Sequence, residues 1–205
     1  MVINNVLDEV FSTWSNIAVL RALKDFNIGI SGREIARLSD MSAKSCLSTL
    51  SALESLGIVD RVRGGRDHLF SLNRNHFLVK EIILPVLYSE KKFISSLFTD
   101  IKKKLSKYSE SIILFGSTAR KNETVESDLD ICIVYKNIKL KREIEKITSG
   151  LNSVLKKKYG VSFAPFYISQ AEFSERVIKK KSPIPEIIRE GKLISGKTFK
   201  ELVNG

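Results

Sequence analysis

The sequence predicts an α+β protein of two modules: short helices closed by a basic hairpin, then an α/β domain built on a small mixed sheet. Three observations predict it. Helix-start signals at Ser31 and Ser42 each open a short apolar-periodic run, and Gly64-Gly65 joins two strand-like runs soon after. Residues 76–108 keep a helical apolar period over a long stretch. Residues 111–135, SIILFGSTARKNETVESDLDICIVY, set Gly116-Ser117 and Ser127-Asp128-Leu129-Asp130 between two apolar strands. The chain of 205 residues is expected to divide into 1–75, a helical connector 76–110, and 111–205.

Residues 4–26 carry Val6, Val10, Phe11, Ile17, Leu20 and Leu23 at near-helical spacing, broken around 12–15, which predicts one interrupted helix or two. Ser31-Gly32-Arg33-Glu34 has the form of a capping box, in which the serine hydroxyl and the glutamate satisfy free N–H groups. It opens a helix to Leu38 whose expected buried face is Ile35 and Leu38. Ser42 is a second N-cap, and Cys46, Leu50, Leu53 and Leu56 repeat at three- and four-residue steps until Gly57 ends the helix. Strand-like runs at 58–63 and 68–72 then flank the glycine pair.

Helix, helix, turn, helix and basic hairpin is the order of a winged helix-turn-helix, and residues 14–75 resemble that family. The resemblance implies that residues 42–56 form a recognition helix for the major groove of double-stranded DNA, offering Lys44, Ser45 and Ser48. Arg63 and Arg66 would flank the wing tip and reach phosphate or the minor groove, since guanidinium forks match phosphate oxygens. Winged helices also serve as protein-protein modules, and this stretch is nearly neutral.

In the connector, Leu78, Ile82, Leu87, Phe93, Ile94, Leu97, Phe98, Ile101 and Leu105 share one side, and Pro85 is expected to kink or divide the helix. The stripe suits a core or a dimer seam, and a homodimer is the expectation. His68 and His76 are the only histidines, so neither a zinc site nor histidine-based catalysis is expected. Cys46 and Cys132 lack metal-ligand or disulfide spacing and read as reduced, buried thiols.

The formal charge is +11, and it is uneven: residues 1–75 hold 9 basic and 8 acidic side chains, residues 76–205 hold 25 and 15. Three lysine triplets stand out, at 102–104, 156–158 and 179–181, and they fit either solvated helix faces or a polyanion groove. No apolar run approaches the roughly 20 residues of a membrane span. Asp8 and Glu9 stand where a secretory signal would be basic and then apolar, so a cytoplasmic protein with no membrane association is expected.

Asp128 and Asp130, one residue apart at a strand, send both carboxylates to one side, as a divalent ion needs. Gly116 lets backbone N–H groups approach a phosphate, and Ser117 adds a hydroxyl near the start of the next helix. Together they suit a Mg-triphosphate. This block resembles the nucleotidyltransferase superfamily that includes DNA polymerase beta, in its minimal members, over about residues 111–196.

The resemblance implies that Gly116 and Ser117 grip the β- and γ-phosphates of a nucleoside triphosphate. It further implies that Asp128 and Asp130 are catalytic and carry two Mg2+ ions at the α-phosphate, and that an acceptor hydroxyl attacks with loss of pyrophosphate. Arg120 belongs to the family's GSxxR pattern and could touch phosphate or form a surface salt bridge, and Ser127, which opens the Asp-x-Asp run, is a further candidate nucleotide-binding residue. Lys121 stands where the family commonly has glycine.

A larger departure follows the next helix, expected at about 140–159 with Leu140, Ile144, Ile147, Leu151 and Val154 inward. The family's third carboxylate would fall near Ala164 and Pro165, yet the strand expected at 161–168 has no acid, and Glu172 beyond it reads as a helix-start residue. Residues 183–196 read as a short closing helix and turn.

Three functions fit: an active transferase moving a nucleoside monophosphate to a protein or small acceptor; a DNA-binding regulator whose degenerate transferase domain holds a nucleotide or a partner; and, by family analogy, an antitoxin that meets a toxin partner.

Overall fold

The computed structural model describes residues 3–65, 67–135 and 137–204. The chain forms two compact units, residues 1–92 and 93–205. The stretch 76–110 is therefore shared between them. A π-helical turn at Val79–Ile83 runs into helix α5 (Leu84–Leu105), and Pro85, which has no N–H to donate, sits at this change of winding. Val79, Ile83 and Leu87 are core residues of the first unit, and Leu97, Ile101 and Leu105 of the second. The apolar side of this stretch is thus spent inside each unit's own core, while Phe93 and Ile94 stay exposed.

The first unit opens with α1 (Val6–Val10) and α2 (Trp14–Leu23), so the broken pattern is two helices, the second capped by Thr13. Strand β1 (Ile30–Ser31) has no sequence signal of its own, and its pairing with β3 is what defines it. Ser31 caps α3 (Gly32–Leu38) by accepting from the Glu34 N–H, and Ser42 caps α4 (Ala43–Ser55) by accepting from the Ser45 N–H. Strands β2 (Val59–Gly64) and β3 (Asp67–Leu72) form the hairpin, with Arg63 opposite His68.

This is the arrangement of a winged helix-turn-helix. Its core gathers Val19, Leu20, Leu23, Ile35, Leu50, Leu53 and Phe70. Leu38 departs from expectation: it is exposed and Ala36 takes its place inside, because α3 turns that side to its neighbours. On α4, Thr49 joins Cys46, Leu50 and Leu53 inside, and Leu56 is only half-buried.

The second unit has a mixed sheet in the order β6-β5-β4-β7. It comprises β4 (Ser111–Leu114), β5 (Leu129–Tyr135), β6 (Phe163–Ser169) and β7 (Lys192–Gly196). β5 and β6 are parallel and joined by α7 (Ile138–Tyr159), while β4 is antiparallel to both β5 and β7. One face packs Ile112, Leu114, Ile131 and Ile133 under α5 and α7. The other packs Ile113, Cys132, Val134 and Ile168 under α8 (Gln170–Ile178), α9 (Ile184–Glu190) and α10 (Phe199–Asn204).

On α7 the buried side is Ile144, Thr148, Leu151 and Leu155, and Val154 is exposed; the true stripe is rotated from the one expected because Thr148, hydrogen-bonded to Tyr167, belongs to it. The stretch 192–196 is a strand, not a turn: its backbone pairs with β4 as an edge. Both cysteines are free and buried, and burial pushes the Cys132 thiol up to about 12. Among the described residues no helix is long and apolar enough to cross a membrane.

Candidate nucleotide site and the helix-hairpin surface

The candidate nucleotide site is built where β4 ends and β5 begins. β4 is buried along its length, and its last step, Phe115, is extended and donates its N–H to the Asp130 carbonyl at 3.0 Å. The chain then reverses at Gly116, whose φ of +71° opens the short helix α6 (Gly116–Arg120). A Cβ on Gly116 would lie 2.1 Å from Asp130 Oδ2. Glycine is therefore required twice, by its left-handed backbone and by the carboxylate against it. That closeness places the Gly116-Ser117 turn and Asp130 in one site.

α6 ends at Lys121, which takes the left-handed conformation at φ 62°. A glycine would adopt this at no steric cost, which gives the physical meaning of glycine at this place in the family pattern. The loop returning to β5 is tied by Ser127: its hydroxyl accepts from the Thr124 N–H at 2.9 Å, and its own N–H donates to the Thr124 carbonyl at 3.0 Å. Ser127 thus shapes the turn that presents Asp128.

Asp128 is exposed just ahead of β5, and Asp130 is half-buried as its second residue. Asp130 lies on the face of Cys132 and Val134, under α8 and α9. Burial, and then the charge of Asp128, push its carboxyl above the usual range, with Arg120 pulling the other way. These two carboxylates are available to a divalent ion, and among the described residues no cluster of three or more metal-ligating side chains forms.

The register explains why. Asp130 pairs with Ala164 on the parallel strand β6, so the side chain beside Asp130 is a methyl group. Glu172 is occupied at the start of α8, bonded to Arg176 at 2.6 Å. Arg120 takes the salt bridge: its Nη1 lies 2.5 Å from Glu190 Oε1, a carboxylate whose side chain is only 13% exposed. Glu190 stands 70 positions along the chain, and no local sequence signal pairs it with Arg120. Beside the site Phe115 and Phe166 meet edge to face at 6.5 Å, with the Arg176 guanidinium 5.9 Å from the Phe166 ring centre.

In the first unit Lys44, Ser45 and Ser48 are exposed on α4, and Arg63 is exposed near the hairpin tip. Arg66 lies outside the described residues. Ser45 also receives a hydrogen bond from the Ser42 hydroxyl at 2.9 Å. Beyond these, a cavity between α3, α4 and the hairpin is lined by Arg33, Leu47, Glu54, Arg61 and His68, with Arg61 paired to Glu54 at 3.0 Å.

The Gly116-Ser117 turn thus lies against Asp130 on β5, with Asp128 just ahead of that strand, in an α/β unit with a mixed four-stranded sheet. Residues 94–188 match the family model of the nucleotidyltransferase domain, and in the chain they follow a unit with the helix-and-hairpin order of a winged helix. No curated protein matches the chain.

Three solved structures show loose likenesses. A predicted DNA-binding transcriptional regulator from E. coli is 21% identical, covering 42% of this chain and 84% of its own, with TM-score 0.36. A MarR family transcription regulator is 14% identical over 74% of this chain and 78% of its own, TM-score 0.37. A toxin-antitoxin structure with AMP-PNP is 18% identical over 55% of this chain and 80% of its own, TM-score 0.32.

Proposed function

We propose that this protein is a Mg2+-dependent nucleotidyltransferase that moves a nucleoside monophosphate from a nucleoside triphosphate to a hydroxyl of a protein or small acceptor, and that its winged helix binds double-stranded DNA. The observation that carries the first part is the packing of Gly116 against the Asp130 carboxylate, with Asp128 two residues before it. In this reading Gly116 and Ser117 hold the β- and γ-phosphates, while Asp128 and Asp130 hold the metal. The bound metal neutralises phosphate charge and polarises the α-phosphate. The acceptor oxygen forms a bond to the α-phosphorus, the α–β anhydride bond breaks, pyrophosphate leaves, and the acceptor's proton passes to solvent. Arg120 is held at this end of the site by Glu190, which offsets its charge.

The pairing of Asp130 with Ala164 favours a second reading, a regulator or antitoxin whose domain holds nucleotide or a partner without transfer. One experiment separates the two. α-Labelled nucleoside triphosphates are incubated with Mg2+, the protein and a cell extract, beside an Asp128→Ala/Asp130→Ala control. Label on an acceptor that the control loses supports transfer; metal-dependent nucleotide binding without label supports the second reading. The DNA part is tested by duplex binding, which Lys44→Ala and Arg63→Ala weaken across sequences while reducing the salt slope.

A further inference from the structure

The cationic charge of this protein is concentrated in a way that neither the nucleotide site nor the winged helix explains. The first unit holds 12 basic and 10 acidic side chains, net +2, whereas the second holds 22 and 13, net +9. Within the second unit, residues 100–107 and 138–159 alone hold 11 basic and 3 acidic side chains, net +8. These two segments are the end of α5 with the residues after it and the whole of α7, neighbouring helices on one face of the sheet.

Two lysine triplets, Lys102-Lys103-Lys104 and Lys156-Lys157-Lys158, are all exposed, and Asp100 links them. Lys158 Nζ and the Tyr159 hydroxyl each donate to Asp100 Oδ2 at 2.7 Å, and Lys103 is close enough to help hold that carboxylate ionised. One carboxylate thus meets a lysine of each triplet, Lys158 by a hydrogen bond and Lys103 through its charge. A cation or two at a helix C-terminus complements the helix dipole; two triplets at one acid exceed that need and repel each other until a polyanion covers them. Aromatic surface lies among them. Lys158 Nζ is 4.9 Å from the centre of the Tyr159 ring, and Phe93, 45% exposed, meets that ring edge-on at 5.5 Å.

We propose that this α5–α7 surface binds single-stranded nucleic acid, with the lysine triplets on the phosphodiester backbone and Phe93 and Tyr159 beside unpaired bases. Electrostatic neutralisation of phosphates supplies most sequence-independent affinity, and aromatic side chains favour unpaired bases over a closed duplex. The surface stands independently of nucleotidyl transfer.

Fluorescence anisotropy of labelled 20-nucleotide single strands of RNA and of DNA, titrated with the full chain over a salt series, tests it. The expected log-log salt slope is about −4, from roughly −0.7 per lysine-phosphate contact on a single strand. Replacing Lys102, Lys103, Lys104, Lys156 and Lys157 by Gln, with Lys158 kept on Asp100, is expected to weaken binding at least tenfold and bring the slope to about −1. The same five changed to Arg retain it. Replacing the exposed triplet Lys179, Lys180 and Lys181 by Gln leaves strand binding and its salt slope as in the wild type, which separates this surface from the net charge of the unit. The proposal is overturned if the five-site Gln variant binds like the wild type, if the Arg variant loses binding, if the wild type binds neither strand at low salt, or if phosphatidylcholine vesicles with phosphatidylserine bind more tightly than either strand.

Discussion

Asp130 and Ala164 stand side by side in register on parallel strands, so the place next to the one half-buried carboxylate of the site holds a methyl group. Ala164→Asp would add a third carboxylate on the same face. If the domain transfers a nucleotide, this variant is expected to raise the rate at least about tenfold, since a placed carboxylate contributes about 10²-fold or more to proton transfer. Initial rates with labelled nucleoside triphosphate measure it, and an unchanged rate contradicts a role for that position.

Gly116→Ala is expected to abolish metal-dependent nucleotide binding. Its methyl would strike the Asp130 carboxylate, and its φ of +71° adds about 1–2 kcal/mol of backbone strain. A thermal melt together with nucleotide titration reads both effects. Normal binding at reduced stability would separate Gly116 from the site.

Lys121→Gly should act oppositely. Lys121 holds a left-handed conformation at φ 62°, and glycine there is expected to stabilise the protein by about 0.5–1 kcal/mol after its greater unfolded-state freedom is subtracted. Denaturant unfolding checks this, and a loss of stability refutes it.

The charge of Asp130 sets two opposite pH trends. Its carboxyl is raised by burial first and by Asp128 second, so in the folded metal-free protein the ionised form is disfavoured relative to the unfolded chain. Stability from this group is therefore present below the unfolded carboxylate value and is lost as pH rises through the raised folded value. Metal-nucleotide binding needs the ionised pair and strengthens over the same window. Asp130→Asn is then expected to melt higher than the wild type without metal and to lose Mg2+-dependent binding. Melts from pH 4 to 7 with and without Mg2+ test both signs.

Much of this was legible in the sequence because the signals are local. Ser31 and Ser42 cap the helices they announce, Gly64 and Gly65 turn the hairpin, and the apolar runs around Gly116 and Asp130 are β4 and β5. The absence of an acid near Ala164 could be read before its register with Asp130 was known. What escaped depends on distant partners. β1 and β7 exist through pairing with β3 and β4, and Glu190 meets Arg120 only after α9 packs near α6. Thr148 turns inward because Tyr167 offers its hydroxyl, so the stripe of α7 is set by a hydrogen bond as well as by periodicity.

The most direct test of the central proposal is Mg2+-dependent transfer from the four α-labelled nucleoside triphosphates, with Asp128→Ala/Asp130→Ala alongside. The predicted result is label on an acceptor that requires Mg2+ and disappears in the double variant. Neither label nor Mg2+-dependent nucleotide binding in the wild type would contradict the assignment of Gly116, Ser117, Asp128 and Asp130 to one nucleotide site.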